Sequence, residues 1–298
     1  MPPRANRNLV PGHIWHVTHR CHKKEFLLKF HRDKLLWMRW LREARRRFGL
    51  VILNFMITSN HVHLMVMGRD SSRSLRRDMR DMRLGRHAAS SPDSTAAVAG
   101  APSPHAVSQA IQLAHARVAQ EYNLRKDRHG AFWEDRFHAT AIECGAQLAR
   151  CLTYVDMNMV RAAVVRHPRD WRFCGYDELL RPDVRPRLKL VDTDALMDLV
   201  GARDVASLKR IRAEWIDQAI RKGQVGREAF WTESVAVGSA DFLARFRGEL
   251  GGKVKAVEVV HQGDCLSLYR TRRTYLCNSG PENDVIDREI GPKSLLTY

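Results

Sequence analysis

The sequence predicts an α+β fold, in which an antiparallel sheet carries helices on its faces and a mainly helical extension follows. Residues 13–67 read as strand, helix, strand, strand, which is the opening of a split βαβ sheet of the ferredoxin-like type. Composition changes after residue 182, where prolines precede a run of helical periodicity. We therefore divide the chain into a sheet domain, residues 1–181, and a mainly helical C-terminal domain, residues 182–298.

The first four elements are predicted from periodicity and turn residues. Residues 13–20 alternate apolar and polar side chains after a Pro-Gly turn, which is typical of a strand. Residues 31–48 repeat apolar side chains at helical spacing, and Gly49 ends this helix. The next two runs are short and apolar, which predicts strands over residues 50–56 and 62–67 with a tight connection between them.

More polar sequence follows these strands. Residues 72–86 carry charges of both signs at helical spacing and predict a short basic helix. Residues 88–106 are a low-complexity run of mainly Ala, Ser and Pro, and we expect a mobile loop there. A helix over residues 107–124 and a strand or hairpin over residues 131–142 complete the predicted sheet, and helical spacing resumes over residues 146–164.

The net charge of +17 and the pI of about 10.1 indicate a polyanionic partner, most simply a nucleic acid. The excess is concentrated, because residues 1–89 hold 20 Lys and Arg against 6 Asp and Glu. Six cysteines without C-x-x-C spacing predict free thiols. No apolar run has the length of a membrane span and the N-terminus lacks a signal-peptide core, so we expect a cytoplasmic protein and no membrane partner.

The C-terminal part is predicted to be helical over residues 192–222 and 227–250, with a strand near residues 253–260 and irregular sequence beyond. Two interpretations are open. This part either grips duplex DNA with a helix–turn–helix or forms a helical cap on the sheet. Its nearly balanced charge argues against strong non-specific binding to DNA.

The sequence His61-Val62-His63 lies at the start of a predicted strand. Residues two apart on a strand point to the same face, so the two imidazoles would lie side by side. Neutral imidazoles at this spacing can share one metal ion. The alternative is that both histidines are ordinary surface or core residues.

A second candidate lies in the predicted helix over residues 146–164. Tyr154 and Asn158 are four residues apart, so they share a helix face. A helical tyrosine is commonly a core residue. An amide one turn below it in a strongly apolar helix is unusual and marks the pair as a candidate site.

Five segments occur in an order that resembles the HUH single-tyrosine transposases, and most closely the REP-associated tyrosine transposases. They cover roughly residues 8–180, and each is weaker alone than the ordered set. They are GHIWHV (12–17), TSNHVHL (58–64), GAFWEDRF (130–137), YVDMNMVRA (154–162) and WRFCGY (171–176). Two positions depart from the family pattern: Asn158 stands where Gln is frequent, and Met159 stands where Pro is usual.

The resemblance implies a catalytic site. Tyr154 would be the nucleophile that forms a 5′-phosphotyrosine and releases a 3′-hydroxyl. His61, His63 and the Asn158 amide would hold a divalent Mg²⁺ or Mn²⁺ ion, and two imidazoles favour Mn²⁺ by ligand type. The implied substrate is single-stranded DNA with hairpin structure, such as a repetitive extragenic palindrome.

Basic residues of the N-terminal half are candidates for phosphate contacts, which would position the strand. Trp15, Trp133 and Phe137 are candidates for base stacking, with burial in the core as the alternative. The basic candidates are Arg4, Arg7, Arg20, Lys23, Lys24, Arg76, Arg77, Arg80 and Arg136.

Two other functions remain open at this stage. One is a non-catalytic DNA-binding regulator on the same fold, and the other is a metal-dependent hydrolase without a tyrosyl intermediate. Intact His61, His63, Tyr154 and Asn158 favour the nuclease. Monomer and homodimer are both compatible with the sequence.

Overall fold

A computed structural model describes most of the chain. The basic helix and mobile loop predicted over residues 72–86 and 88–106 lie almost wholly outside the described residues. The same is true of five candidate phosphate contacts, Arg4, Arg7, Arg76, Arg77 and Arg80. The described residues are 9–69, 71–72, 75, 105–223, 226–251, 257–262 and 265–270.

The described residues form one seven-stranded sheet with helices packed on it. The strands are β1 (Ile14–Arg20), β2 (Leu50–Ile57), β3 (His61–Gly68), β4 (His138–Ile142), β5 (Ala236–Gly238), β6 (Val257–Gln262) and β7 (Cys265–Arg270). The helices are α1 (His31–Phe48), α2 (Ala106–Lys126), α3 (Ala146–Asp156), α4 (Asn158–Arg161), α5 (Gly175–Leu180), α6 (Thr193–Val200), α7 (Val205–Arg221), α8 (Phe230–Glu233) and α9 (Ala240–Leu250).

The strand order is β2-β3-β1-β4-β5-β7-β6. The first four strands are antiparallel, with β1 between β3 and β4 and with β2 on the outer side of β3. This is the order of a split βαβ sheet, and the predicted α+β fold class is confirmed. Strand β5 then pairs in parallel with β4, and β7 and β6 follow it antiparallel.

Several predicted elements were wrong in detail. The helix predicted over residues 192–222 is divided into α6 and α7, because Gly201 ends α6. Strand β7 lies in sequence that was predicted to be irregular. The helical pattern over residues 227–250 is interrupted by β5, which is buried throughout. Gly238 ends this strand, and Ser239 then caps α9. A larger residue does not fit at position 238, because a Cβ there would lie 2.3 Å from the Phe242 ring. In the strand or hairpin predicted over residues 131–142, only β4 is a strand, because Trp133 forms a single bridge with Cys21.

The two faces of the sheet are covered by different helices. Successive side chains of β1 point to opposite faces. His19 contacts His115 of α2 on one face, where α1 and α2 also pack together. His16 contacts Trp231 of α8 on the other face, where His63 contacts Asn158 at the start of α4. The candidate site therefore lies on the face that α3, α4 and α8 cover.

A buried ion pair joins α3 to α7. Arg212 of α7 is 2% exposed and contacts the carboxylate of Asp156, which has no exposed surface. The second Asp156 oxygen accepts from Asn54 Nδ2 of β2 at 2.8 Å. A buried carboxylate is tolerated only when it is paired in this way, so α7 and β2 together fix the end of α3.

Within the part of the chain that the structure describes, no helix is long and apolar enough to cross a membrane. None of the five described cysteines is in a disulfide, as expected from their spacing, and Cys277 lies outside the described residues.

We expect Arg212→Met to lower the free energy of unfolding by roughly 3–5 kcal/mol, because it leaves Asp156 buried and without its cation. The measurement is urea unfolding followed by tryptophan fluorescence. The matched control is Arg227→Met, which removes the exposed Arg227–Glu233 pair and should cost no more than about 1 kcal/mol. Equal losses in the two variants would contradict a structural role for the buried pair.

Candidate active site

The structure brings the two histidines and Asn158 together. His61 and His63 lie on one face of β3, with ring centroids 5.1 Å apart. Asn158 Nδ2 lies 3.0 Å from His63 Nε2. The helix predicted over residues 146–164 breaks at Met157 into α3 and α4, so Asn158 begins α4. Three side chains predicted as metal ligands therefore converge, and their role as ligands remains a prediction.

Hydrogen bonds fix the protonation of His63. The Trp231 carbonyl lies 2.9 Å from His16 Nδ1, and a carbonyl can only accept, so His16 carries its proton on Nδ1. His16 Nε2 then accepts from His63 Nδ1, at 2.9 Å. His63 therefore has its lone pair on Nε2, which accepts from the Asn158 amide. The hydrogen-bond chain from Trp231 thus turns the unprotonated nitrogen of His63 toward Asn158.

His61 is held in the same tautomer by the turn that precedes β3. Its Nδ1 donates to Asn60 Oδ1 at 2.8 Å and also lies 2.9 Å from Thr58 Oγ1. This leaves the lone pair of Nε2 available. Burial lowers the pKa of His61 to about 4, with further lowering from Arg20 and Arg161, so the ring is neutral at pH 7.

The donor set fits a divalent transition-metal ion. It offers two neutral imidazole nitrogens and, if the Asn158 amide turns over, one amide oxygen. Among the described residues there is no group of three or more His, Cys, Asp and Glu that could hold a metal ion, so this site would have no carboxylate. Nitrogen ligands suit Mn²⁺ better than Mg²⁺, which prefers oxygen.

Tyr154 lies beside this group and is 7% exposed. Its ring centroid is 6.3 Å from that of His63 and 6.2 Å from that of Trp231. The Arg161 guanidinium carbon lies 3.9 Å from the Tyr154 ring centroid, and Nη1 donates to the Tyr154 carbonyl at 2.7 Å. Burial raises the pKa of Tyr154, whereas Arg161 lowers it. The phenol is therefore protonated at pH 7, and Arg161 favours its ionisation.

Sequence reasoning missed three residues of this site. Arg161 follows Tyr154 by seven residues, two helical turns, and this spacing could have placed both on one face. His16 alternates with the other polar residues of β1, but its contact with His63 depends on the register of β1 against β3. No local signal points to Trp231.

The candidate DNA contacts are placed unevenly. Arg20 is exposed and pairs in register with His61, and its guanidinium lies 4.0 Å from Glu134. Lys23, Lys24 and Arg136 are exposed. Of the three stacking candidates, Trp15 and Phe137 are buried core residues and cannot stack bases, and Trp133 is stacked on His19 at 4.6 Å.

A cavity of about 590 Å³ lies between α3 and α7 and is bordered by Tyr154. Its charged lining is mainly basic. The charged side chains are Arg150, Arg161, Lys222 and Glu228. Tyr154 thus borders a basic cleft that the C-terminal part of the chain helps to form.

No protein-family model and no curated protein matches the chain. One solved structure that resembles it is a REP-associated tyrosine transposase bound to a REP hairpin. The similarity covers 60% of this chain and 87% of that one, with 13% sequence identity and a TM-score of 0.39. It is limited to the fold.

The hydrogen-bond chain predicts tautomers that NMR can measure. We expect His16, His61 and His63 to be protonated on Nδ1 in the metal-free protein at pH 7.5, as read from long-range ¹⁵N–¹H correlations. His16→Leu should remove the preference at His63 and weaken Mn²⁺ binding about 10- to 100-fold. His13→Leu, in the residue before β1, is the control. Finding His63 protonated on Nε2 would contradict the proposed chain of hydrogen bonds from Trp231 to Asn158.

Stability should fall in mild acid. Burial lowers the pKa of His16 to about 4, and the pKa of His61 is also about 4. Between pH 6.5 and pH 4 the unfolded chain binds protons that the folded chain does not. We therefore expect the free energy of unfolding to drop by about 2 kcal/mol for each ring between pH 7.5 and pH 5. Urea titrations at both pH values test this. The control is His129→Gln, which changes an exposed histidine and should show the same drop as the wild-type protein.

Proposed function

We propose that this chain cleaves and rejoins single-stranded DNA through a covalent intermediate on Tyr154, with Mg²⁺ or Mn²⁺ held by His61, His63 and Asn158. The observation that carries the proposal is the meeting of an Nδ1-protonated imidazole pair, an amide and a phenol on one face of the sheet. These are the residue types that phosphodiester transfer by a tyrosine requires.

The proposed step is an in-line substitution at phosphorus. A bond forms between Tyr154 Oη and phosphorus, and the bond from phosphorus to the 3′-oxygen breaks. The phenolic proton ends on the departing oxygen, which becomes a free 3′-hydroxyl. Attack by another 3′-hydroxyl reverses the step and joins strands without a nucleotide cofactor. A bound divalent ion would polarise and orient the scissile phosphate.

Arg161 has a role in this step that follows from its position. Its guanidinium lies on the Tyr154 ring, and Nη2 is buried without a hydrogen-bond partner among the described residues. The positive charge would stabilise the phenolate as the proton leaves and would remain close to the phosphate. The basic cavity beside Tyr154 is the proposed route of the DNA strand.

The proposed substrate is a hairpin with an unpaired flank. The resemblance to the REP-associated transposases supports this choice, and so does the concentration of positive charge in residues 1–89.

A second candidate function is a DNA-binding regulator without catalysis. Two observations favour it: Tyr154 is nearly buried, and the Asn158 amide presents nitrogen, not oxygen, to His63. A site that remains closed in this way would bind DNA without cutting it. This candidate predicts tight binding and no covalent product.

We expect the wild-type protein to form a DNA adduct that survives denaturation when it is incubated with Mn²⁺ and a labelled hairpin oligonucleotide carrying a single-stranded flank. Tyr154→Phe should form none, because it lacks the attacking oxygen. Tyr122→Phe, which changes another buried tyrosine on α2, should form the adduct normally.

The readout is a denaturing gel with and without EDTA. An adduct that persists in Tyr154→Phe would refute the proposed nucleophile. Binding without any adduct, across several hairpins and both metals, would favour the regulator.

A further inference from the structure

We propose that residues 22–30, here called the aromatic–basic loop, form a stacking surface for an unpaired base of single-stranded DNA, with Phe26 as the stacking residue. The loop connects β1 to α1. This inference rests on the proposed function only for the identity of its partner, a single DNA strand. It adds a binding surface outside the group of His61, His63, Tyr154 and Asn158.

Two aromatic side chains of this loop lie in solvent. Phe26 is 66% exposed and Phe30 is 58% exposed, and they are the only aromatic residues among the exposed large hydrophobic side chains in the described ranges. Leu27 and Leu28, between them, are buried. The loop is therefore anchored to the core while its phenylalanines remain outside. Single exposed apolar residues are ordinary, but two aromatic rings four residues apart mark a binding surface.

Positive charge surrounds these rings. Lys23 and Lys24 are exposed, and their side chains have no partner among the residues that the structure describes. The ammonium groups of Lys29 and Lys126 lie 5.9 Å and 5.6 Å from the Phe30 ring centroid. Stacking rings interleaved with lysines suit a single strand, because bases stack on the rings while phosphates contact the ammonium groups.

The only acidic residue of the loop does not cancel this charge. Glu25 lies 3.3 Å from the Arg128 guanidinium, so its carboxylate is already neutralised. Lys23 and Lys24 both have left-handed backbone angles, with φ of 49° and 61°. Glycine or asparagine is the usual residue in that conformation, and two consecutive lysines there are unusual. Their placement favours a functional reason for charge at this turn.

The loop is fixed to the candidate active site. Cys21, directly before it, donates from its amide to the Asn60 carbonyl at 2.7 Å, and Leu28 N donates to the Ser59 carbonyl at 2.9 Å. Asn60 Nδ2 donates to the Lys24 carbonyl at 3.2 Å, while Asn60 Oδ1 accepts from His61. One amide therefore links the loop to a proposed metal ligand. A base stacked on Phe26 would belong to the strand that the site cleaves.

The charge around Phe26 argues against a protein partner. Lysine is depleted at the centre of protein–protein interfaces, whereas the aromatic–basic loop has lysines on either side of its exposed rings. Duplex DNA is also disfavoured, because its bases are already stacked and only an unpaired base can cover a ring.

The experiment measures binding separately from cleavage. The 298-residue chain with Tyr154→Phe serves as the background, and fluorescence anisotropy gives the Kd for a hairpin with a single-stranded flank. We expect Phe26→Ala to weaken binding about 5- to 150-fold and Phe26→Leu to weaken it comparably, because leucine has no π-face. Phe26→Trp should keep the Kd within about twofold of that of the chain with Phe26, because tryptophan also offers a ring for stacking. Val184→Ala, which trims another exposed apolar side chain, is the control.

Salt dependence separates stacking from charge. The slope of log Kd against log salt should be unchanged in the Phe26 variants. In Lys23→Gln and in Lys24→Gln it should decrease by about 0.7 for each ammonium–phosphate pair that the substitution removes. A blunt hairpin without a flank should bind equally well to Phe26→Ala and to its parent.

Several results would overturn the proposal. Unchanged binding by Phe26→Ala would do so, even if the wild-type chain forms the Tyr154 adduct. Rescue by leucine would show an apolar contact without stacking. If Phe26→Ala binds DNA normally but no longer binds phosphatidylserine vesicles, the rings belong to a membrane-binding surface. If it binds DNA normally but no longer forms a dimer in sedimentation, they belong to an interface with a second copy of the chain. Conversely, a flank-dependent loss in Phe26→Ala supports the surface even where no adduct forms.

Discussion

The candidate active site depends on one hydrogen bond that can run in only one direction, from His16 Nδ1 to the carbonyl of Trp231. Because a carbonyl has no proton to give, the bond sets the tautomer of His16, and His16 in turn sets that of His63. The Asn158 amide nitrogen then faces His63 Nε2. In this buried region a wrong tautomer would leave polar atoms unpaired at a high cost. A backbone atom of α8 thus determines which imidazole nitrogen is available to a metal ion.

This dependence gives the C-terminal part of the chain a structural role at the site. Strand β5 pairs directly with β4, so one continuous sheet contains strands from both sides of the domain boundary predicted at residues 181 and 182. Arg212 neutralises Asp156, which lies midway between Tyr154 and Asn158 in the sequence. Trp231 supplies a carbonyl to His16 and a ring beside Tyr154. A helical cap that only covered the sheet would need none of these contacts.

Sequence patterns within single segments predicted the elements that depend only on nearby residues. Alternation and helical spacing located β1, α1, β2 and β3, and the period of a strand placed His61 and His63 on one face. The contact of His16 with His63 could not be predicted from the sequence, because it depends on the register between strands separated by a helix. Strand β5 was missed because three apolar residues carry no period. Its place is decided by pairing with β4 and by the absence of a Cβ at Gly238.

The burial that orders this site also opposes the chemistry proposed for it. It keeps His16 and His61 neutral, as His61 would need to be in its proposed role as a metal ligand. It also keeps Tyr154 protonated, which opposes the proposed role of its oxygen as a nucleophile. Arg161 is the one described cation in contact with the Tyr154 ring, and part of its guanidinium is unpaired. An incoming phosphate would satisfy that unpaired group. In the proposed reaction Arg161 would thus have two roles, because its charge favours ionisation of Tyr154 and its unpaired group could bind the phosphate.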